Sequence, residues 1–335
     1  MFLVQFTINL SSLIIRTYFG LRRSKKFADE YLNELESRFN GKFDDTIVNK
    51  VIKWNSILQH FVCNSFSGLY GRVNTPVEEE RNLVYFTTTA LYDEIIDTKS
   101  LPIHELDELF YHPEKAIGKN FEQIVLLHLH NQLLNQVPDR EEYWSVIHNI
   151  HTAQKDSIKQ FDASTTNEEL LSITQRKGGY SLLMCRHYMD LQKSKEVDDC
   201  WFALGSVIQM TNDLFDIYKD VQAGIETFAT RAKKSTEIES IYINQANLLF
   251  MSIGKLPFSV KKRNKLLTTL SAIPSFGYIA LENLKKIQGN ASELPPMNTI
   301  ERNKLIIDME KPQNLMRLIK YSYQLTNQNQ SIKKT

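Results

Sequence analysis

The sequence predicts an all-α protein, and three observations support this prediction. Glycine (12 residues) and proline (9 residues) are scarce in a chain of 335 residues, at roughly half the share of an average protein. No proline occurs between Pro138 and Pro257, so a long stretch lacks the residue that ends helices most strongly. Helical patterns of apolar residues recur along the chain. We therefore expect helices packed around an inward-facing site.

The predicted helices follow one another in order, separated by short segments that contain proline, glycine or polar residues. They cover residues 26–39, 44–64, 77–97, 104–111, 121–136, 139–161, 167–191, 196–222, 235–252, 258–287 and 299–323. Gly178-Gly179 is expected to interrupt the seventh helix, and Pro274 and Pro312 to break or kink the last two.

Composition and charge are those of an ordinary folded protein and exclude several classes. The chain is 42% hydrophobic and 24% charged, which is enough apolar material for a core. Forty Lys and Arg balance 39 Asp and Glu, for a net charge of +1, so no basic excess predicts a nucleic-acid partner. With no repeat or linker, one large helical domain is expected over 41–323. It follows an N-terminal helical segment (1–40) and precedes a polar, flexible tail (324–335).

The three cysteines are isolated and odd in number, which predicts a reduced cytoplasmic protein without a disulfide framework or a zinc site. The apolar start, residues 1–19, is interrupted by polar residues and lacks the clean run of a membrane span. It also lacks the features of a signal peptide. Because the basic cluster Arg22–Lys26 follows, two interpretations remain: a helix docked on the protein's own surface, and a peripheral membrane contact.

Two short acidic stretches carry the predicted chemistry. The first is Tyr92–Asp97 (YDEIID) and the second is Gln209–Asp220 (QMTNDLFDIYKD). Each lies in an apolar run without Pro or Gly, so each is predicted to be helical. Residues four apart share a helix face, and both stretches place oxygen-bearing side chains at that spacing.

Carboxylates on an apolar helix repel one another and lose hydration unless a cation neutralises them. Oxygen ligands without Cys or His favour magnesium, with manganese as an alternative. Either stretch alone has a plainer interpretation as a solvated acidic face. The presence of two in apolar settings favours a metal site. The predicted metal ligands are Asp93, Glu94, Asp97, Asn212, Asp216 and Asp220.

The two stretches resemble the metal motifs of one enzyme superfamily. Residues 93–97 (DEIID) resemble the aspartate-rich DDxxD motif of class I isoprenoid synthases, with Glu94 in its second place. Residues 212–220 (NDLFDIYKD) resemble the second metal motif of terpene synthases, with Asp216 and Asp220 replacing Ser/Thr and Glu. Residues 209–216 are also similar to the FQxxDDxLD stretch of trans-prenyltransferases. The resemblance spans about residues 80–230.

This resemblance implies a single class I terpenoid synthase-like helical bundle with a central apolar pocket. Three Mg²⁺ ions at its mouth would hold an isoprenyl diphosphate substrate, and ionisation of a C15 or longer substrate would give a terpene and diphosphate. The implied catalytic residues are Asp93, Asp97, Asn212, Asp216 and Asp220.

Other residues take roles that the resemblance implies. Arg176 and Lys177 stand where this superfamily meets the diphosphate from the opposite wall, and Lys219 lies inside the second motif. Residues about a turn before the first motif usually line the pocket. The predicted pocket residues are Tyr85, Phe86, Thr88, Thr89, Gly178 and Gly179.

Two alternatives to the lyase remain open. One is a prenyltransferase that condenses two isoprenoid units or prenylates another acceptor. A single Lys99 follows the first motif, with no RRxxP-type stretch for a second diphosphate, and this favours the lyase. The other alternative, from a different class, is a non-catalytic subunit that binds isoprenyl diphosphates. The sequence leaves open the product and whether the chain forms a homodimer.

Overall fold

The computed structural model describes residues 2–98, 101–137 and 139–331, and none of these forms a β-strand. The all-α prediction is therefore confirmed over the described residues. The first helices are α1 (Phe2–Phe39), α2 (Asp45–Ile57), a π-helix (Leu58–Cys63), α3 (Asn64–Leu69), α4 (Pro76–Asp97), α5 (Ile103–Tyr111), α6 (Phe121–Gln136) and α7 (Arg140–Asp156). A 3₁₀ turn (Ser157–Phe161) follows, and then α8 (Asn167–His187), α9 (Lys195–Phe215), α10 (Ile217–Ala223), α11 (Phe228–Arg231) and α12 (Ser235–Lys255). The last are α13 (Val260–Leu270), α14 (Ala272–Gln288), a 3₁₀ turn (Met297–Thr299), α15 (Arg302–Leu305) and α16 (Pro312–Ser331).

Several helices begin where the sequence supplies a capping side chain. At α4, the Thr75 hydroxyl accepts a hydrogen bond from the Glu78 N–H, and the Glu78 carboxylate accepts one from the Thr75 N–H. This reciprocal pair is a capping box, which satisfies two of the free N–H groups at the helix start. Asn120 and Ser194 cap α6 and α9 in the simpler one-bond form.

The predicted interruption at Gly178-Gly179 is wrong, because α8 runs through both glycines to His187. The predicted helix over 258–287 does break, but at Ser271 between α13 and α14. Pro274 then falls in the first turn of α14, where a missing N–H costs no intrahelical hydrogen bond.

The predicted helix over 299–323 is also broken, because α15 ends at Leu305 and Pro312 begins α16, where its fixed φ suits the first helical position. α16 continues to Ser331, so residues 324–331, predicted as part of a polar tail, are helical. Residues 332–335 of that tail lie outside the described residues.

The chain divides into two compact units. Unit 1 takes the described residues of Met1–Asn9, Ser145–Met184 and Gln192–Thr335, and unit 2 those of Leu10–Trp144 and Cys185–Leu191. In unit 1, α9 packs against α12 and α14, and α14 also packs against α16. In unit 2, α4 packs against α2 and α6. Each acidic stretch thus lies on a core helix of its own unit: the first on α4 in unit 2, and the second on α9 and the following α10 in unit 1.

None of the described helices is both long enough and apolar enough to cross a membrane. The N-terminal segment was interpreted either as a helix docked on the protein's own surface or as a peripheral membrane contact. Its side chains before Gly20, apart from Phe6, lie outside the described part of the structure, so both interpretations stay predictions. All three cysteines (Cys63, Cys185 and Cys200) are free and buried.

Glu78 is a fully buried charge in unit 2. The Arg72 guanidinium donates two hydrogen bonds to its carboxylate, at 2.7 and 2.6 Å, and the Asp190 N–H donates another at 2.6 Å. Burial raises the pKa of Glu78, but these hydrogen bonds and that from Thr75 outweigh it and lower the pKa from 4.5 to about 2. The ionised carboxylate therefore stabilises this part of the fold.

We predict that Glu78→Gln lowers the unfolding free energy by about 2 kcal/mol at pH 7, because Arg72 loses the partner of a partly buried charge. Since folding lowers the pKa of Glu78, its contribution is complete above pH 4.5 and is lost as the pH falls through about 2. Urea denaturation of both proteins from pH 7 to pH 2 measures this. The difference between them should shrink over the acidic part of that range, and a constant difference would contradict the assignment.

Candidate functional site

The second acidic stretch crosses a break between two helices of unit 1. α9 ends at Phe215 and α10 begins at Ile217, so the predicted continuous helix over 196–222 is interrupted at Asp216 (φ −95°, ψ 7°). Hydrogen bonds still join the Asp216 N–H to the Asn212 carbonyl and the Asp220 N–H to the Asp216 carbonyl, both at 2.8 Å. The four-residue spacing of the three predicted ligands therefore persists across the break. Asn212 is partly buried, Asp216 exposed and Asp220 buried.

Asp213 lies beside these ligands but is turned toward α8. Its carboxylate accepts hydrogen bonds from the Thr174 hydroxyl at 2.9 Å and from the Gln209 amide at 3.1 Å. Burial raises the pKa of Asp213 from 3.8 to about 6, although both hydrogen bonds act in the opposite direction. Asp213 was not among the predicted ligands, and its bond to Thr174 links the acidic helix to its neighbour.

Asp220 carries the most perturbed carboxyl group of this stretch. Burial is the largest cause that raises its pKa from 3.8 to about 7, and the charges of Asp213 and Asp216 raise it further. Lys219 and Lys177 act in the opposite direction without compensating. Three carboxyl groups thus lie within electrostatic reach of one another with too little positive charge around them.

Arg176 and Lys177, the predicted diphosphate-binding pair, have different surroundings. The Arg176 guanidinium donates to Asp156 at 2.9 Å and to the Ser172 hydroxyl at 3.2 Å, so it is held in an ion pair. Lys177 is partly buried and acts electrostatically on Asp213 and Asp220. Lys219, the third predicted cation, is exposed. Contact of these three residues with a diphosphate stays a prediction.

Gly178 brings the backbones of α8 and α9 into direct contact. A Cβ atom on Gly205 would lie 2.2 Å from the Gly178 carbonyl oxygen, and one on Gly178 would lie 2.4 Å from the Gly205 carbonyl oxygen. A Cβ atom on Gly179 would meet the ring of Phe202. The glycines therefore serve a close helix approach, and their predicted role in lining a pocket stays a prediction.

We predict that Gly205→Ala lowers the unfolding free energy by about 1–3 kcal/mol, because the new methyl group meets backbone that cannot move aside. The matched control is Gly68→Ala in α3, where an added Cβ has no neighbour within 4 Å and alanine favours the helix. Urea denaturation should show a loss for the first variant and no loss for the second. Equal unfolding free energies of the two variants would contradict the close approach of α8 and α9.

The first acidic stretch lies at the end of α4 in unit 2. Asp93 is partly buried and accepts a hydrogen bond from the Lys50 ammonium of α2 at 2.8 Å. Glu94 is also partly buried. Asp97 is the last residue of α4, but its side chain lies outside the described residues. Lys50 is 43 residues from Asp93, and no local pattern in the sequence indicates the pair.

The predicted pocket residues of α4 fall into two groups. Tyr85 and Phe86 are buried, with ring centroids 5.7 Å apart, and the Tyr85 ring also lies 5.0 Å from that of Tyr188. Thr88 and Thr89 are partly buried, and each hydroxyl donates to the carbonyl four residues before it. These contacts belong to unit 2 alone, and the lining of a substrate pocket by these residues stays a prediction.

The residues of the second stretch fit a hard cation. Over the described residues, no group of three or more His, Cys, Asp or Glu side chains is arranged to hold a metal ion by itself. Magnesium usually takes only one or two carboxylates and completes its shell with water and phosphate oxygens. The uncompensated carboxyl charges around Asp220 and the amide oxygen of Asn212 are donors of the type that it prefers.

We predict that Asp220→Asn raises the unfolding free energy of the metal-free protein at pH 8 by about 1–2 kcal/mol, because it removes a poorly solvated charge. Folding raises the pKa of Asp220, so the stability linked to its protonated form is complete below pH 3.8 and is lost as the pH rises through about 7. The variant should therefore match the wild type at pH 4.

Urea denaturation in the presence of a chelator measures this effect at both pH values. Asp199→Asn, at an exposed position of α9, serves as the control and should leave the unfolding free energy unchanged at both pH 4 and pH 8. A pH-independent effect of Asp220→Asn would contradict the raised pKa.

The comparisons with known proteins find a structural likeness but no similar sequence. No protein-family model matches the chain, and no curated protein matches it. The structure is similar to the crystal structure of a geranyltransferase from Legionella pneumophila, with 16% sequence identity and a TM-score of 0.41. The match covers 76% of this chain and 98% of that one. At this identity and TM-score, the likeness carries no argument about activity.

Proposed function

We propose that the protein is a magnesium-dependent class I terpene synthase-like enzyme that ionises an isoprenyl diphosphate of C15 or longer, giving a terpene and diphosphate. The observation that carries the proposal is the group of Asp213, Asp216 and Asp220 at the junction of α9 and α10, where the three carboxyl groups act electrostatically on one another. Burial, and then the charges of Asp213 and Asp216, raise the pKa of Asp220 to about 7, and such perturbed groups are typical of functional sites. The sequence resemblance supplies the substrate class.

Each residue has a role in this proposal. Asn212, Asp216 and Asp220 would hold magnesium in unit 1, and Asp93, Glu94 and Asp97 would do so in unit 2. Bound magnesium supplies Lewis-acid stabilisation of the charge on the departing diphosphate.

Other side chains would bind the substrate and keep it dry. Lys177 and Lys219 would add charge-assisted hydrogen bonds to the diphosphate oxygens. The carbon–oxygen bond breaks with its electron pair on the diphosphate, which leaves an allylic cation on the isoprenyl chain, and loss of a proton from that chain then gives the neutral terpene. Aromatic and apolar side chains such as Tyr85 and Phe86 would exclude water from that cation.

The second candidate is a prenyltransferase, and one feature of the sequence favours it. Residues 209–216 are similar to the FQxxDDxLD stretch, and Asp216 replaces the Ser/Thr of terpene synthases. The lyase is preferred because a prenyltransferase needs further cations after the first motif to bind a second diphosphate. Here Lys99, which lies outside the described residues, is the single cation that follows this motif closely.

The test is diphosphate release from farnesyl and geranylgeranyl diphosphate with and without Mg²⁺. We expect metal-dependent release by the wild type and a loss of at least about 100-fold in Asp93→Ala and in Asp216→Ala, since each removes a metal ligand. Asp199→Ala is the matched control, because Asp199 is exposed on α9 and paired with Lys195. It should keep full activity.

The remaining outcomes separate the alternatives. A longer product on addition of isopentenyl diphosphate would identify the prenyltransferase. Metal-dependent diphosphate binding without release, measured by calorimetry, would identify the non-catalytic subunit. If the protein neither releases nor binds diphosphate, the proposed diphosphate site is rejected.

A further inference from the structure

Lys50 of α2 and Asp93 of α4 form a partly buried ion pair in unit 2. The Lys50 ammonium donates a hydrogen bond to Oδ2 of Asp93 at 2.8 Å, and the two side chains are 33% and 19% exposed. A contact at this depth is less screened by water and salt than an ion pair on the surface. The ammonium charge therefore acts strongly on any ion that binds beside Asp93.

Both members of the pair stand on backbone that helix packing holds in place. α2 packs against α4, and Val51, the residue after Lys50, is fully buried. Tyr92, the residue before Asp93, is buried in α4. The ion pair therefore joins two packed helices, and neither of its members depends on a loop for its position.

The contact makes the two oxygens of the Asp93 carboxylate unequal toward a metal ion. Because the ammonium lies 2.8 Å from Oδ2, an ion bonded to Oδ2 at about 2.4 Å would lie no more than about 5 Å from the ammonium. Positive charges at that distance repel each other strongly where screening is weak. An ion bonded to Oδ1 alone can lie on the far side of the carboxylate, further from Lys50. Asp93 is therefore suited to bind a metal through one oxygen.

We propose that Lys50 is a positioning residue that limits Asp93 to coordination through one oxygen and thereby raises the selectivity of the first acidic stretch for Mg²⁺ over Ca²⁺. The inference rests on the proposed magnesium site of unit 2. Mg²⁺ keeps a strict octahedral shell with several waters, so one carboxylate oxygen is enough for it. Ca²⁺ gathers more oxygens and often takes both oxygens of one carboxylate. Exclusion of Oδ2 therefore weakens the binding of Ca²⁺ more than that of Mg²⁺.

The experiment measures the relative affinity of the full chain for the two metals. Mn²⁺ is the probe, because its electron paramagnetic resonance signal falls when it binds to protein, and Mg²⁺ and Ca²⁺ are added as competitors. We expect Lys50→Met to shift the ratio of the two affinities toward Ca²⁺ by about tenfold, at the lower end of what residues behind a metal ligand contribute. Loss of a positive charge strengthens the binding of both divalent ions alike, so that effect cancels in the ratio.

The matched control is Lys53→Met, because Lys53 is exposed on the same helix and carries the same charge. It should leave the ratio unchanged. When Lys50→Met is combined with Asp93→Asn, the ratio should equal that of Asp93→Asn alone, since Lys50 acts through Asp93. Lys50→Ala should reproduce the shift of Lys50→Met, and circular dichroism should show equal helix content in all variants.

Two kinds of failure can be told apart in this series. An unchanged ratio in Lys50→Met, or an equal shift in Lys53→Met, overturns the role of Lys50. If Asp93→Asn still weakens metal binding in that case, the proposed metal site stands and only the inference about Lys50 is rejected. If Asp93→Asn leaves the binding of every metal unchanged, Asp93 is not a metal ligand. Both the inference and the part of Asp93 in the proposed function are then rejected.

Discussion

Burial of carboxyl groups within the core helices is the constraint on which unit 1 depends. Asp213 and Asp220 both have pKa values raised by burial, to about 6 and about 7, so their ionised forms cost free energy near neutral pH. The structure limits this cost with hydrogen bonds to Asp213 and with the charge of Lys177, but it does not cancel it. A bound cation would turn this unfavourable electrostatic energy into binding free energy, which gives the proposed metal site a physical reason to be where it is.

The helical architecture could be predicted because it depends on local properties of the sequence. Scarce glycine and proline left long apolar patterns uninterrupted, and the caps at Thr75 and Ser194 are visible as sequence signals. The break at Asp216 could not be predicted in this way. No proline or glycine marks it, and the backbone hydrogen bonds continue on both sides. Pro274 and Pro312 did indicate breaks in the predicted helices, but each break lies just before the proline, which takes a place in the first turn of the next helix, where proline is tolerated.

The candidate site could be predicted only in part, for a related reason. Spacing along one helix identified Asn212, Asp216 and Asp220, because four-residue periodicity is written in the sequence itself. The partners of the acidic side chains are set by tertiary packing. Thr174, for example, is 39 residues away from Asp213, to which it donates a hydrogen bond. Lys50, the partner of Asp93, is similarly distant. Such pairs are found only when the neighbouring helices are known.

The direct contact of Gly178 with Gly205 has a mechanical consequence. Two backbones that touch without intervening side chains have no rotamers to adjust, so α8 and α9 must shift together as one stiff body. Lys177 directly precedes that contact, and its Cα is therefore held at a fixed place relative to Asp213 of α9. Only the flexible stem of Lys177 can then move, so its ammonium stays within electrostatic reach of Asp213 and Asp220.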